Sequence, residues 1–170
     1  MKWPGGEELN ETTHRQISNF RASYRLYVIL FSSYHESPPK DVDKEYWKNK
    51  VVSAFNGQVY FNLPNNPVLY TGLISRKSLE SNDRTDEHRY PRKEWAQWRL
   101  FDIENPVTFE KFFSLYCEEG GSYNITTNKE NRALPGWYKK QPKEAIRDGG
   151  KAAYKACGII LVEDPDFTKS

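Results

Sequence analysis

At 170 residues and a formal net charge of +2, the chain is long enough for one cored domain. Its overall charge is too balanced to argue for nucleic acid, whose capture depends on local phosphate-facing cations. The two cysteines sit in no paired ligand motif, which excludes a structural zinc on Cys pairs and fits free thiols in a reducing compartment.

Met1-Lys2-Trp3-Pro4-Gly5-Gly6 has no apolar leader core, and the longest apolar run, Tyr27–Phe31, is far short of a membrane span. A soluble, cytoplasmic protein without membrane contact is therefore expected. Much of the apolar mass is aromatic, with 11 Tyr, 9 Phe and 5 Trp. Such rings serve either as core filling or as base-stacking surfaces, and core filling is the commoner use.

The spacing of Ile17, Phe20, Tyr24, Tyr27 and Phe31 predicts a helix over 10–33, capped by Asn10 or Thr12 and stopped by Ser37-Pro38-Pro39. Asp41 or Asp43 caps a second helix to Phe55, ended by Asn56-Gly57 in a left-handed turn. A Pro- and Asn-rich loop is predicted over 62–67, and an extended segment over 68–74. A polar stretch over 75–85 leads to a short strand with Glu87-His88 that enters a loop at Pro91. The run 95–101 fits helix or strand. Val107–Glu118 reads as a helix capped by Thr108 and closed by Gly120-Gly121.

Thr127-Asn128-Lys129-Glu130 is a capping box opening a short helix that Pro135-Gly136 ends. Pro142–Cys157 reads as a last helix, loosened at Gly149-Gly150, with Lys143, Arg147, Lys151 and Lys155 one turn apart as a candidate phosphate-tracking row. Gly158 caps it, Ile159–Val162 is an apolar strand, and the acidic tail 163–166 is solvated.

The chemistry concentrates in Asp86-Glu87-His88-Arg89-Tyr90-Pro91-Arg92-Lys93 and in Thr126–Asn131. Phosphodiester hydrolysis needs a base for the attacking water, which a neutral imidazole supplies near pH 7. It also needs positive charge beside the phosphoryl oxygens, which one divalent cation supplies. A hard cation such as Mg²⁺ takes one or two protein oxygens and keeps several waters. An acid beside a histidine, with an asparagine on a nearby helix, meets those needs. In an extended segment the acid and the histidine point to opposite faces, so both reach one site only where the strand bends or twists. His14 and His35 have no acid partner placed in this way and read as structural or exposed.

Glu87-His88-x-x-Pro91-Arg92, followed by Thr126-Thr127-x-x-Glu130-Asn131-x-x-Leu134, resembles the core of the HNH (His-Me finger, ββα-metal) endonucleases, in particular the free-standing homing-type endonucleases of phage. The resemblance implies an α+β fold, mainly helical with a small antiparallel ββα-metal-like core. It implies His88 as general base, with Glu87 and Asn131 holding Mg²⁺ or Mn²⁺; Asp86 and Asn128 are the rival ligands. Arg89, Arg92, Lys93, Lys139 and Lys140 would contact double-stranded DNA. The setting would be the host cell cytoplasm if the chain is phage-encoded. Residues 1–66 would form a helical scaffold or DNA-contacting lobe and 67–170 the nuclease core, unless 1–170 is one domain. The chain departs from the commoner pattern in carrying Glu for Asp before the histidine and in the width of the gap from His88 to Asn131. The competing class is a non-catalytic nucleic-acid-binding or protein-interaction module built on 95–99 and 137–140.

Overall fold

The computed structural model describes residues 11–60, 63, 69–81 and 83–167, leaving out the side chains of 11–16 and 143. The chain is α+β and mainly helical, with one small mixed sheet. It divides into two compact units: Met1–Asn65 with Arg92–Tyr116, and Asn66–Pro91 with Cys117–Ser170. Among the described residues, no helix is long and apolar enough to cross a membrane. The expected loop over 62–67, apart from Leu63, and the Asn10 cap lie outside the described residues, as does the side chain of His14.

The first unit is built on α1 (Glu11–His35), α2 (Lys44–Ala54), α4 (Arg92–Ala96) and α5 (Phe109–Leu115). The apolar face read from spacing is the buried one: Phe20, Tyr27, Phe31 and Tyr34 turn inward from α1. Tyr27 sits among rings, stacked on Phe112 at 5.2 Å and edge-on to Phe101 at 5.8 Å. Its hydroxyl donates to Leu100 O (3.0 Å) and accepts from Val107 N (3.2 Å), so the polar end of this buried ring is satisfied.

Asp43 caps α2 by accepting from Tyr46 N at 2.8 Å. The expected stop at Asn56-Gly57 is corrected: the helix continues as a widened turn over Phe55–Val59. Phe55 and Val59 are both buried there, and burying two large side chains outweighs a glycine's helix penalty of about 1 kcal/mol. The ambiguous run 95–101 is helical, α4 continuing through a widened turn Gln97–Phe101. Thr108 caps α5 by accepting from Lys111 N at 3.3 Å.

The second unit carries β1 (Tyr70–Ser75), α3 (Arg76–Ser81), β2 (Thr85–His88), β3 (Tyr123–Thr126), α6 (Asn128–Tyr138), α7 (Lys151–Ala156) and β4 (Leu161–Glu163). The sheet order is β2-β3-β1-β4. β3 is parallel to β1 and antiparallel to β2, and β4 is antiparallel to β1. α3 falls inside the stretch read as polar linker; Ser75 Oγ accepts from Ser78 N at 3.0 Å and starts its turn.

Three further expectations are corrected here. α6 does not end at Pro135-Gly136 but runs through both to Tyr138. Its Leu134 joins an apolar cluster with Ala153, Tyr154 and Ile159, against which Trp137 and Tyr138 pack, and that anchoring offsets the proline. The last helix is not continuous: residues 143–146 form a 3₁₀ turn, and α7 begins only after Gly149 and Gly150, both left-handed. The four-cation row is therefore broken, and only Lys151 and Lys155 share a helix face. The acidic tail is not wholly solvated: Asp164 is buried and accepts from Tyr70 Oη at 2.9 Å. Phe167 covers Gly72, where an added Cβ would meet its ring at 2.5 Å.

Candidate functional site

β2 and β3 form an antiparallel pair in the register Thr85↔Thr126, Asp86↔Ile125, Glu87↔Asn124 and His88↔Tyr123. α6 follows β3 after the single residue Thr127 and contacts β2. Strand alternation sends Glu87 and its register partner Asn124 to one face and Asp86 and His88 to the other. The Glu87 face is the helix-covered one: Glu87 is 6 % exposed and Asn124 1 %, and Asn124 Nδ2 donates to Tyr154 Oη of α7 at 2.9 Å. Thr71 of β1 donates its hydroxyl proton to Asn124 Oδ1.

Two tyrosines border Glu87. Burial pushes Tyr138 well above the ordinary phenol range, and the negative charges of Glu87 and Asp148 push it the same way. Tyr154 is likewise held far above it, by burial first and then by Glu87, against the lowering effect of its Asn124 bond and of Arg89. Both phenols are protonated at any physiological pH, so their hydroxyls stay neutral near the Glu87 charge. The Tyr138 hydroxyl oxygen is fully buried and makes no hydrogen bond.

Asn131 occupies the second turn of α6 and is partly exposed, on the side it shares with Leu134 and Tyr138 at spacings of three and seven. Tyr138 is thus about 10 Å farther along the axis. Pro135 has no N–H to give the Asn131 carbonyl, so that oxygen loses its usual helical partner. Asn128 is otherwise engaged: its N–H and its Nδ2 both donate to Asp83, at 3.1 and 2.6 Å. Asp86 stands on the far face, where its charge, after burial, raises Tyr123. His88 ends β2 on that same face, at the point where the chain leaves the pleat.

Arg89 belongs to the second unit; Arg92 and Lys93 belong to the first, with the Arg92 guanidinium 5.2 Å from the Tyr60 ring centroid. Arg89 N donates to Ser122 O at 3.3 Å, and its guanidinium lies beside Gly149, where a Cβ would stand 3.0 Å from Nη2. A Cβ at Gly150 would stand 3.0 Å from the Tyr154 ring and 3.1 Å from Arg89 O. The diglycine therefore lets one backbone turn close down on both Arg89 and Tyr154. Lys139 and Lys140 are exposed just beyond the last turn of α6.

The other buried carboxylate here, Glu130, is structural. Its Oε2 accepts from Ser75 Oγ (2.6 Å), Thr127 N (3.1 Å) and Thr127 Oγ1 (3.1 Å), completing the capping box that fixes where α6 starts. Among the described residues, no cluster of three or more His, Cys, Asp or Glu side chains is placed to hold an ion. A hard cation held by one carboxylate, one carboxamide and water needs no such cluster, and the Glu87 and Asn131 oxygens suit that donor class.

Sequence reasoning missed Asn124 as the register partner of Glu87, Tyr138 and Tyr154 as the phenols that its charge raises, and Thr71 and the diglycine as the groups set against Asn124 and Tyr154. One signal was present: in Tyr123-Asn124-Ile125-Thr126 the polar members alternate with apolar ones, and the polar set faces inward. No protein-family model, curated protein or solved structure matches this chain.

Proposed function

We propose that the chain is a metal-dependent DNA endonuclease of the HNH kind that hydrolyses phosphodiester bonds. The observation that carries this reading is the β2–β3–α6 unit: an antiparallel pair holding Glu87-His88, followed at once by a helix that contacts β2 and bears Asn131. His88, the last residue of β2, faces away from Glu87 by strand alternation, so this reading requires its imidazole to reach the site where the chain leaves the pleat; there it takes the proton from the attacking water, and water's oxygen bonds phosphorus as the bond to the leaving sugar oxygen breaks. Glu87 on the sheet and Asn131 on the helix are the residues that would hold the ion, and Mg²⁺ or Mn²⁺ held by them would supply positive charge beside the phosphoryl oxygens. Arg89, carried on the residue after His88, contacts a phosphate of the substrate strand, with Lys139 and Lys140 as further phosphate contacts.

A second reading, a non-catalytic nucleic-acid-binding module, is favoured by Trp98, a half-buried ring with the Arg99 guanidinium 4.2 Å from its centroid. One experiment separates the two. Purified protein is incubated with supercoiled plasmid and Mg²⁺ or Mn²⁺, beside His88→Ala. The endonuclease reading requires nicking or linearisation by the wild type, its loss in His88→Ala, and retained DNA binding in the variant. Binding without cleavage by the wild type under every divalent metal leaves the second reading standing.

A further inference from the structure

We infer that β4 is a self-pairing edge: two copies of this chain join through antiparallel β4 strands, with Glu163 of each copy set against Lys151 and Lys155 of the other. β4 ends the sheet order β2-β3-β1-β4, so one of its sides faces no strand among the described residues. The register decides what that side offers. Arg76 N donates to Ile160 O, and Asp164 N donates to Gly72 O, both at 2.9 Å. Ile160, Val162 and Asp164 therefore turn their backbone groups toward β1. Leu161 and Glu163, between them, turn their N–H and C=O outward. Such an open row of donors and acceptors is a template for another strand.

Charge selects the occupant. Glu163 lies two positions after Leu161 and so shares its face of the sheet. α7 packs on that face, since Leu161 lies against the cluster of Leu134, Ala153, Tyr154 and Ile159. Lys151 and Lys155, both exposed on α7, line a groove of about 410 Å³ with Tyr154, Ile160 and Leu161. The edge thus has a cationic end at Leu161 and an anionic end at Glu163, which is also exposed. A two-fold axis at Val162 pairs Leu161 with Glu163 of the second copy. Every outward N–H and C=O of these residues then finds a partner, and each Glu163 carboxylate meets the lysines of the other copy. The two-fold axis makes each favourable pair twice, whereas parallel pairing would set lysines against lysines. β4 is short and Pro165 follows it closely, so the contact is weak and depends on concentration. β2, which carries Glu87-His88, is the opposite edge, so this pairing goes beyond the endonuclease reading and does not use its site.

The test is sedimentation velocity of the full chain from micromolar to near-millimolar concentration at low salt, with thermal melts and amide hydrogen exchange alongside. Glu163→Lys makes the edge wholly cationic; Lys151→Glu with Lys155→Glu makes it wholly anionic. All three positions are exposed, so melting temperatures should stay within a few degrees of the wild type. The expected result is a wild-type dimer that salt weakens, and that is weakened about 10-fold or more in either variant alone. An equal mixture of the two variants restores dimerisation, because each supplies the charge that the other lacks. The Leu161 and Glu163 amides exchange more slowly as the wild-type concentration rises. If the wild type is monomeric at near-millimolar concentration, or if it dimerises and the mixture is no tighter than either variant alone, self-pairing through β4 is overturned. A monomer that binds a synthetic peptide of alternating Glu and Val also overturns it, and gives the edge to a partner protein.

Discussion

The two units bury different things. Of the ten buried polar or charged side chains among the described residues, one, Ser23, is in the first unit and nine are in the second. The first unit is closed by rings on rings, Tyr27 with Phe31, Phe55, Phe101 and Phe112, and its buried hydroxyl is satisfied by backbone. The second hides three carboxylates, a carboxamide and several hydroxyls in and around its four-stranded sheet. Apolar packing contributes stability in proportion to area, whereas buried polar groups cost desolvation that only good partners offset. On the endonuclease reading, the contrast sets a unit closed by apolar packing beside the unit that would carry the chemistry.

Substitutions can break that contrast. The largest expected effect is on activity: His88→Ala lowers Mg²⁺-dependent cleavage by about 100-fold or more, in the range of lost general-base catalysis, while the urea midpoint barely moves. Cleavage kept by the variant would remove chemistry from β2. Phe101→Ala should do the reverse, costing about 3–5 kcal/mol in equilibrium denaturation because it empties the space between the Tyr27, Tyr34 and Phe55 rings.

A third effect is alkaline. Burial raises the Tyr27 phenol to about 12, against an ordinary value of 10.0. Its folded-state pKa lies above the unfolded one, so its contribution is complete below pH 10 and is lost as pH rises toward 12. Wild-type stability should fall by up to ~3 kcal/mol more than that of Tyr27→Phe across this window, measured by denaturation at fixed pH steps.

Thr127→Ala tests the cap that starts α6, and a loss of about 1 kcal/mol is expected in denaturant melts. The smallest effect is kinetic. The Cys117 thiol is raised to about 12, by burial and then by Glu118. It should therefore react with a thiol-specific disulfide reagent far more slowly than an unperturbed cysteine at pH 8.

What was legible in the sequence was local. Asp43, Thr108 and the Thr127–Glu130 box each place a helix start through a bond that spans three residues, so a short window suffices to find them. The apolar face of α1 and the strand at Glu87-His88 follow from periodicity in the same way. The misreadings at Gly57, Pro135 and the acidic tail share one cause. Each position carries a local breaker or a charge, and each is overruled by a distant contact: the burial of Phe55 and Val59, the cluster around Leu134, and the Tyr70 hydroxyl on Asp164. At the candidate site, the strand that carries the Glu87-His88 dipeptide was legible. Its surroundings were not, because Thr71, Asn124 and Tyr154 meet through sheet register and helix placement, which no local pattern encodes.

The interleaving of the units bears on the order in which the protein can assemble. β1 and β2 do not pair with each other; both depend on β3 between them. The chain leaves the second unit after Pro91, supplies Arg92–Tyr116 to the first, and returns only at Cys117. A nascent polypeptide emerging from the ribosome at about 5–20 residues per second therefore offers every segment of the ring-rich unit before either strand has a neighbour to bind. Until Tyr123–Thr126 is extruded, β1 and β2 are open edges, and a stalled or truncated product ending near Tyr116 would carry a finished helical body with an adhesive, unpaired tether.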